Sequence, residues 1–354
     1  MKSRPTTKRA LWLPLILLAV SAVLAACSST GGSSPSGGSS TGALKKGLKV
    51  FVIPKNLGNP YFTLADSVKT SGALAALKKL GETGSETSGT AATPASQIPA
   101  IQAAITKGAN ALIVSATDAS ALCPTLKAAM QKGITVVTYD SDAPACRDLF
   151  INQASTPAIG TSEVDLLAKQ LHDSGDIGIV SAAASATNQN AWIKYMKQEL
   201  AAKYPDMHLV SIVYGNDDPT TATQVTQGLL EQYPNLKGII SPTTVGILAA
   251  AQVLDTPKYR GKVALTGLGT PGSLKKYVED GTIKSFELWN PANLGYLAAY
   301  AAVNFASKKI TNAQGQSFSA GKLGNHTVGA GHSVLLGPPL VFTKSNINNF
   351  NWGF

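Results

Sequence analysis

Leu48-Lys49-Val50-Phe51-Val52-Ile53 is a strand-like run, continuously β-branched and aromatic from Val50, that stops at Pro54. A helical pattern follows from about Tyr61 to Leu80, with Leu64, Val68, Leu74 and Leu77 near one face. A strand apolar at successive positions is covered on both faces, which is how parallel sheets with flanking helices read. The same unit then recurs. Strands are predicted at Ala111–Val114, Thr135–Val137, Ile177–Val180, Leu209–Val213, Gly238–Ile240, Val263–Leu265 and Ser285–Trp289. Helices are predicted at Ala119–Lys132, closed by Gly133, and at Asn188–Lys203, Thr220–Tyr233, Val245–Leu254 and Leu294–Ser307. Alternation on this scale predicts an α/β protein of two doubly wound parallel-sheet lobes, with ligands expected beyond the carboxyl ends of the strands. Glu82–Thr87 is too polar for a central strand and is expected at an edge or in a loop.

Working outward, the chain opens with Lys2, Arg4, Lys8 and Arg9 ahead of an apolar run, Leu11–Leu24, that ends in Leu24-Ala25-Ala26-Cys27. This is the pattern of a secretory signal. The cysteine directly after the small residues resembles the lipobox of bacterial lipoproteins. That resemblance implies that residues 1–26 are removed and that Cys27 becomes the first residue and carries lipid. Ser28–Thr41, almost wholly Ser and Gly, reads as a flexible tether extending over residues 27–45. The alternative is a single membrane-spanning anchor, for which the apolar run falls short of the ~20 residues required. The body is therefore expected outside the cell membrane, attached to it through the Cys27 lipid only.

Beyond the tether, roughly 310 residues are enough for two medium-sized lobes. With 44% hydrophobic and 14% charged residues the chain is globular and not disordered. Without the leader 26 basic residues face 20 acidic ones, a net of +6, and the basic residues are scattered. No basic stripe with interleaved aromatics exists, which argues against nucleic-acid binding. With Cys27 lipidated, Cys123 and Cys146 remain as a pair in an oxidising compartment, read as a disulfide, with two separate buried thiols as the alternative. The four histidines stand at no ligand spacing, so no metal is expected, and no cofactor either.

Residues just after each predicted strand form a coherent chemical set. They include Lys55, Asn56, Asn59 and Phe62, then Asp140 and Asp142, then Asn188, Gln189 and Trp192. Pro242, Thr243, Thr244, Leu268, Trp289 and Asn290 complete it. Carboxylates and amides pair vicinal hydroxyls while aromatic faces cover the C–H surface of a ring, so this mixture suits a sugar. Taken singly, Asp140 and Asn188 read equally well as helix caps.

Val52-Ile53-Pro54-Lys55-Asn56-Leu57-Gly58-Asn59-Pro60-Tyr61-Phe62 resembles the opening of the sugar-binding type I periplasmic binding proteins of ABC importers. The likeness continues through Thr138–Asp142, Thr187–Trp192, Ser241–Gly246 and Glu287–Pro291, and so covers nearly the whole body. Asn188-Gln189-Asn190, Thr243–Gly246 and Leu288–Pro291 are similar to the rhamnose-binding branch. Leu122-Cys123-Pro124, Cys146-Arg147 and Val334-Leu335-Leu336 are similar to the autoinducer-2-binding branch. That branch has Asp-Gln where this chain has Asn188-Gln189, and alanine where it has Thr244. The resemblance carries ligand roles to Lys55, Asp140, Asn188, Gln189, Pro242 and Thr244. It implies a rhamnose-like deoxyhexose as ligand, with autoinducer-2 or a pentose or polyol as the alternative. The aspartate that many ribose-type relatives carry near Gly269 is missing. The implied lobes are 46–152 with 291–335, and 153–290 with 336–354, hinged near 151–154, 289–291 and 336–339. Lys55 and Asp140 would lie on the first lobe, and Asn188, Gln189, Thr243 and Thr244 on the second. The implied partners are a permease and its ATPase, the protein itself acting as a monomer.

Enzymatic readings fare worse. Gly267-Leu268-Gly269-Thr270-Pro271-Gly272 matches G-x-G-x-x-G, and Glu287 follows at twenty residues, but the fingerprint belongs in the first βα unit. Asp140 and Asp142 are too close in sequence to oppose each other across a glycosidic bond. No G-x-S-x-G elbow occurs. A surface receptor using the same fold stays open at this level.

Overall fold

In the computed structural model, which describes residues 43–352, the run that decides the fold forms β1 (Lys49–Ile53), buried everywhere but at Lys49. The leader, Cys27 and the Ser28–Thr41 tether lie outside the described residues. Val50 and Val52 enter one hydrophobic core and Phe51 and Ile53 the other, the two-residue alternation of a strand covered on both faces.

After β1 come α1 (Pro60–Asp66), α2 (Ala73–Leu80), β2 (Thr83–Glu86), α3 (Pro94–Thr106), β3 (Ala111–Val114), α4 (Ala119–Gln131), β4 (Thr135–Tyr139) and β5 (Leu149–Asn152). The chain continues through α5 (Thr156–Leu171), β6 (Gly175–Ser181), α6 (Thr187–Lys203), β7 (Met207–Tyr214), α7 (Pro219–Gln232), β8 (Gly238–Ser241), α8 (Thr244–Leu254) and β9 (Ala264–Gly267). It ends with α9 (Pro271–Glu279), β10 (Ser285–Leu288), α10 (Pro291–Ala306), β11 (Ser317–Ser319), β12 (Asn325–Gly329), β13 (Ser333–Leu335) and β14 (Leu340–Thr343).

The first lobe is built on a sheet of order β11-β12-β13-β5-β4-β3-β1-β2, parallel from β13 to β2, with β11 and β12 added antiparallel. The second is built on β7-β6-β8-β9, all parallel. Beside β9, β10 runs parallel through a Leu268–Glu287 bridge and pairs antiparallel with β14. This is the two-lobed α/β architecture the alternation predicts. The polar 82–87 stretch is indeed an edge strand, exposed at all four positions of β2.

One predicted helix is two. Between Tyr61 and Leu80 the chain leaves helical geometry at Ser67, where ψ is 148°. The Thr70 hydroxyl donates to Leu64 O at 2.6 Å, a local side-chain bond that competes with the helix ladder. Val68 is accordingly 49% exposed and not on the buried face. The break lets α10 come close, because a Cβ at Gly295 would stand 1.9 Å from Ala65 O. Gly295→Ala is therefore expected to destabilise the protein by about 1–3 kcal/mol through overpacking, read from urea unfolding curves.

Cys123 and Cys146 are joined, linking α4 to the loop before β5, so the two-thiol alternative is set aside. No helix among the described residues is long and apolar enough to cross a membrane.

Candidate functional site

The carboxyl ends of β1, β4, β6, β7, β8, β9 and β10 point toward one cavity between the lobes. It encloses about 350 Å³ of empty space, mouth included. From the first lobe, Lys55 follows β1 and is almost wholly buried. Its Nζ donates to Asn188 Oδ1 at 2.9 Å and stands 3.7 Å from Asp140 Oδ2. Asp140 follows β4 with φ of 60°, a left-handed conformation that aspartate tolerates better than most residues. Ser115 Oγ donates to Asp140 Oδ2 at 2.7 Å and fixes the carboxylate.

From the second lobe, Asn188 and Gln189 stand in the first turn of α6, whose N-cap Ala186 offers no side chain. Asn188 Nδ2 donates to Asp140 Oδ1 at 3.4 Å, crossing between lobes. Gln189 Oε1 accepts from Ala182 N at 3.0 Å and from Ser181 Oγ at 3.3 Å, which ties it to the end of β6. Asp217, after β7, is left-handed and accepts from the Thr243 hydroxyl. Withdrawal from solvent raises its carboxyl pKa, against the opposing pull of Lys55.

Aromatic rings close the cavity. Trp289 Nε1 donates to the Tyr61 hydroxyl at 2.8 Å, and the Trp192 and Trp289 rings lie 6.1 Å apart. Phe62 packs edge-on to Tyr61 and Tyr139. Burial, then the nearby Asp140, pushes the Tyr61 phenol well above its ordinary value, so it stays neutral. One ammonium, two carboxylates, amides, hydroxyls and ring faces can saturate a ring of hydroxyls and cover its C–H face.

Lys55, Asn59, Phe62, Asp140, Asn188, Gln189, Trp192, Pro242, Thr243, Thr244, Leu268 and Trp289 all line this cavity. Three other expected residues do not. Asp142 is committed to Arg147, accepting from Nε at 2.8 Å and Nη2 at 2.9 Å. Asn290 caps α10, its Oδ1 accepting from Asn293 N. Asn56 lines a neighbouring outer chamber instead. Tyr61, Asp217 and Leu288 line the cavity without having been singled out. Asp217 was legible by position, since it follows the β7 segment, but Asp217-Asp218-Pro219 also reads as a helix start, and Asp218 does cap α7.

The G-x-G-x-x-G stretch serves the fold. A Cβ at Gly267 would lie 2.0 Å from Ser241 O, so the glycine lets β9 approach β8. Gly269 N donates to Glu287 O and Gly272 N to Trp352 O, leaving neither amide for a phosphate.

The family model described as a periplasmic binding protein domain matches residues 50–310. Among solved structures, a sugar ABC transporter from Actinomyces odontolyticus is 41% identical, with 86% of this chain and 98% of that one covered and a TM-score of 0.67. An ABC transporter solute-binding protein from Clostridium phytofermentas with bound L-rhamnose is 35% identical, with 86% and 98% covered and a TM-score of 0.82. LsrB from Clostridium saccharobutylicum in complex with AI-2 is 26% identical, with 86% and 100% covered and a TM-score of 0.78. The chain spans 60% and 51% of the length of the curated relatives it matches.

Proposed function

We propose that this chain, which belongs to the periplasmic binding protein family, is an extracytoplasmic solute-binding protein that carries a rhamnose-like deoxyhexose to an ABC permease. The observation that carries this reading is the convergence of Lys55 and Asp140 from one lobe with Asn188, Gln189, Asp217 and Thr243 from the other on a single cavity. A neutral sugar offers hydroxyls that donate to both carboxylates and accept from Lys55, while an acidic sugar would meet two like charges. Phe62, Leu268 and Leu288 supply an apolar wall for the methyl group of a deoxy sugar. Thr244 and Asn188 stand where the autoinducer-2 branch has alanine and aspartate, which favours the sugar.

A ligand held by both lobes interacts more strongly with the closed form, and that difference drives closure about the segments near 151–154, 289–291 and 336–339. The closed complex would then dock on the permease, the protein being held at the membrane by lipid on Cys27 and acting as a monomer. Binding is the whole of the chemistry: the sugar is expected to be recovered unchanged. In a thermal-melt screen of sugars and polyols, L-rhamnose or a close deoxyhexose is expected to raise Tm the most. Stabilisation by autoinducer-2 or pentitols alone would overturn the sugar assignment.

A further inference from the structure

We propose that the site continues into a second, outer subsite, and that the full ligand is a neutral glycoside whose second ring occupies it; this rests on the deoxyhexose reading above. The two sides of the cleft mouth differ. On one, Ala119 N at the start of α4 donates to Thr187 Oγ1 at the start of α6 at 3.3 Å, drawing the lobes together. On the other, the loops at 56–60 and 90–94 of the first lobe stand apart from those at 183–185 and 216–219 of the second. They enclose about 1380 Å³ of space, mouth included, roughly four times that of the inner cavity. Asn59 and Asp217 line both spaces, so the two meet at these side chains.

The chamber walls are held in place. Leu57 N donates to Gly89 O at 2.8 Å and Ser88 Oγ to Pro54 O at 2.8 Å, bracing the two first-lobe loops. Asn190 Nδ2 donates to Ala184 O at 2.8 Å and Asn216 N to Ala182 O at 3.0 Å, bracing the opposite pair. Asn56, 7% exposed, is held only by a long 3.5 Å bond from Nδ2 to Thr90 O, and its Oδ1 has no partner. Turning that amide would offer both a donor and an acceptor to a hydroxylated guest.

The lining decides the class of guest. Among the described residues no Lys or Arg contributes to the chamber, while Asp217 and Asp218 do, so phosphate and carboxylate substituents are disfavoured. No aromatic ring among the described residues contributes either, so a flat aryl group gains no stacking partner there. What remains is amides, hydroxyls and small or aliphatic side chains, Leu57 and Val245 among them, which suit the hydroxyls and the C–H face of a second sugar ring linked through oxygen.

Calorimetry on the full-length protein, with rhamnose and with rhamnosyl disaccharides of each linkage, tests this. At least one disaccharide is expected to bind within about tenfold of rhamnose, or more tightly. Ala184→Trp, which fills the chamber from an exposed wall position, is expected to weaken that disaccharide by about tenfold more than it weakens rhamnose. Binding of a disaccharide without rhamnose also supports the outer subsite. Rhamnose binding with every disaccharide about a hundredfold weaker or absent overturns the subsite and leaves the deoxyhexose reading intact. Binding of neither overturns both.

Discussion

Asp140→Ala is expected to abolish the thermal stabilisation conferred by the sugar and to weaken its binding by about a hundredfold or more, close to 3 kcal/mol. Two losses combine. The sugar hydroxyls lose a first-lobe carboxylate in the cavity, and Lys55, 4% exposed, loses its nearest negative charge among the described residues and keeps Asn188 as a hydrogen-bond partner. Truncating one member of a buried charge pair is costly to the other, and Lys55 is left with Asp217 as the remaining carboxylate nearby. Asp140→Asn is the informative companion. Asparagine tolerates the left-handed φ of 60° and still accepts from Ser115, so the fold should hold while the charge is gone. Isothermal calorimetry on both variants checks the prediction, and an Asp140→Ala protein that binds within threefold of wild type would remove Asp140 from the site.

The second large effect is on stability and lies behind the cavity. Glu287 on β10 and Glu163 on α5 are both fully buried, and three of their four carboxyl oxygens have no hydrogen-bond partner among the described residues. Ser162 Oγ donates to the fourth, on Glu287, at 2.5 Å. Burial raises the Glu287 pKa from 4.5 to about 7, and burial with the neighbouring Glu287 charge raises Glu163 well above its ordinary value. In the folded protein both acids therefore hold protons that the unfolded chain releases near 4.5. Each contributes stability that is complete below that unfolded value and is lost as pH rises toward the folded one. For Glu287 the window runs from 4.5 to about 7, and the loss across it is about 3 kcal/mol. Glu287→Gln, which stays neutral, should raise the urea midpoint at pH 7.5 and change little at pH 4.5. A variant whose stability falls with pH as steeply as wild type would show that Glu287 is not the group responsible.

Most of the frame could be read from pattern, because burial on both faces leaves short continuous runs such as 50–53 and 111–114, whose length and alternation with helical stretches mark them as strands. The α1–α2 break could not, since it depends on the Thr70 hydroxyl finding Leu64 O and on α10 pressing Gly295 against Ala65. Nor could β11 to β14, three to five residues each and partly exposed, whose pattern is too short to register. In the site, strand-end position found twelve of the residues that line the cavity. It failed where one residue type serves two purposes. Asp142 and Asn290 have the chemistry of ligand groups but are used by Arg147 and by a helix start. Asp217 stands beside Asp218, which caps α7, and the two adjacent aspartates are not told apart by position alone.

The pairing of β13 with β5 bears on how the molecule is assembled in time. Ser333–Leu335 lie against Phe150–Asn152, whereas β6 to β9 of the other sheet all fall within residues 175–267. The second sheet can thus zip from neighbouring segments, as can β1 to β5 of the first, and only the β13 edge is recruited from nearly two hundred residues downstream. Closing so long a loop carries an entropic cost, so the β13 edge is expected to join late the half that contributes Lys55 and Asp140, as β14 joins the other.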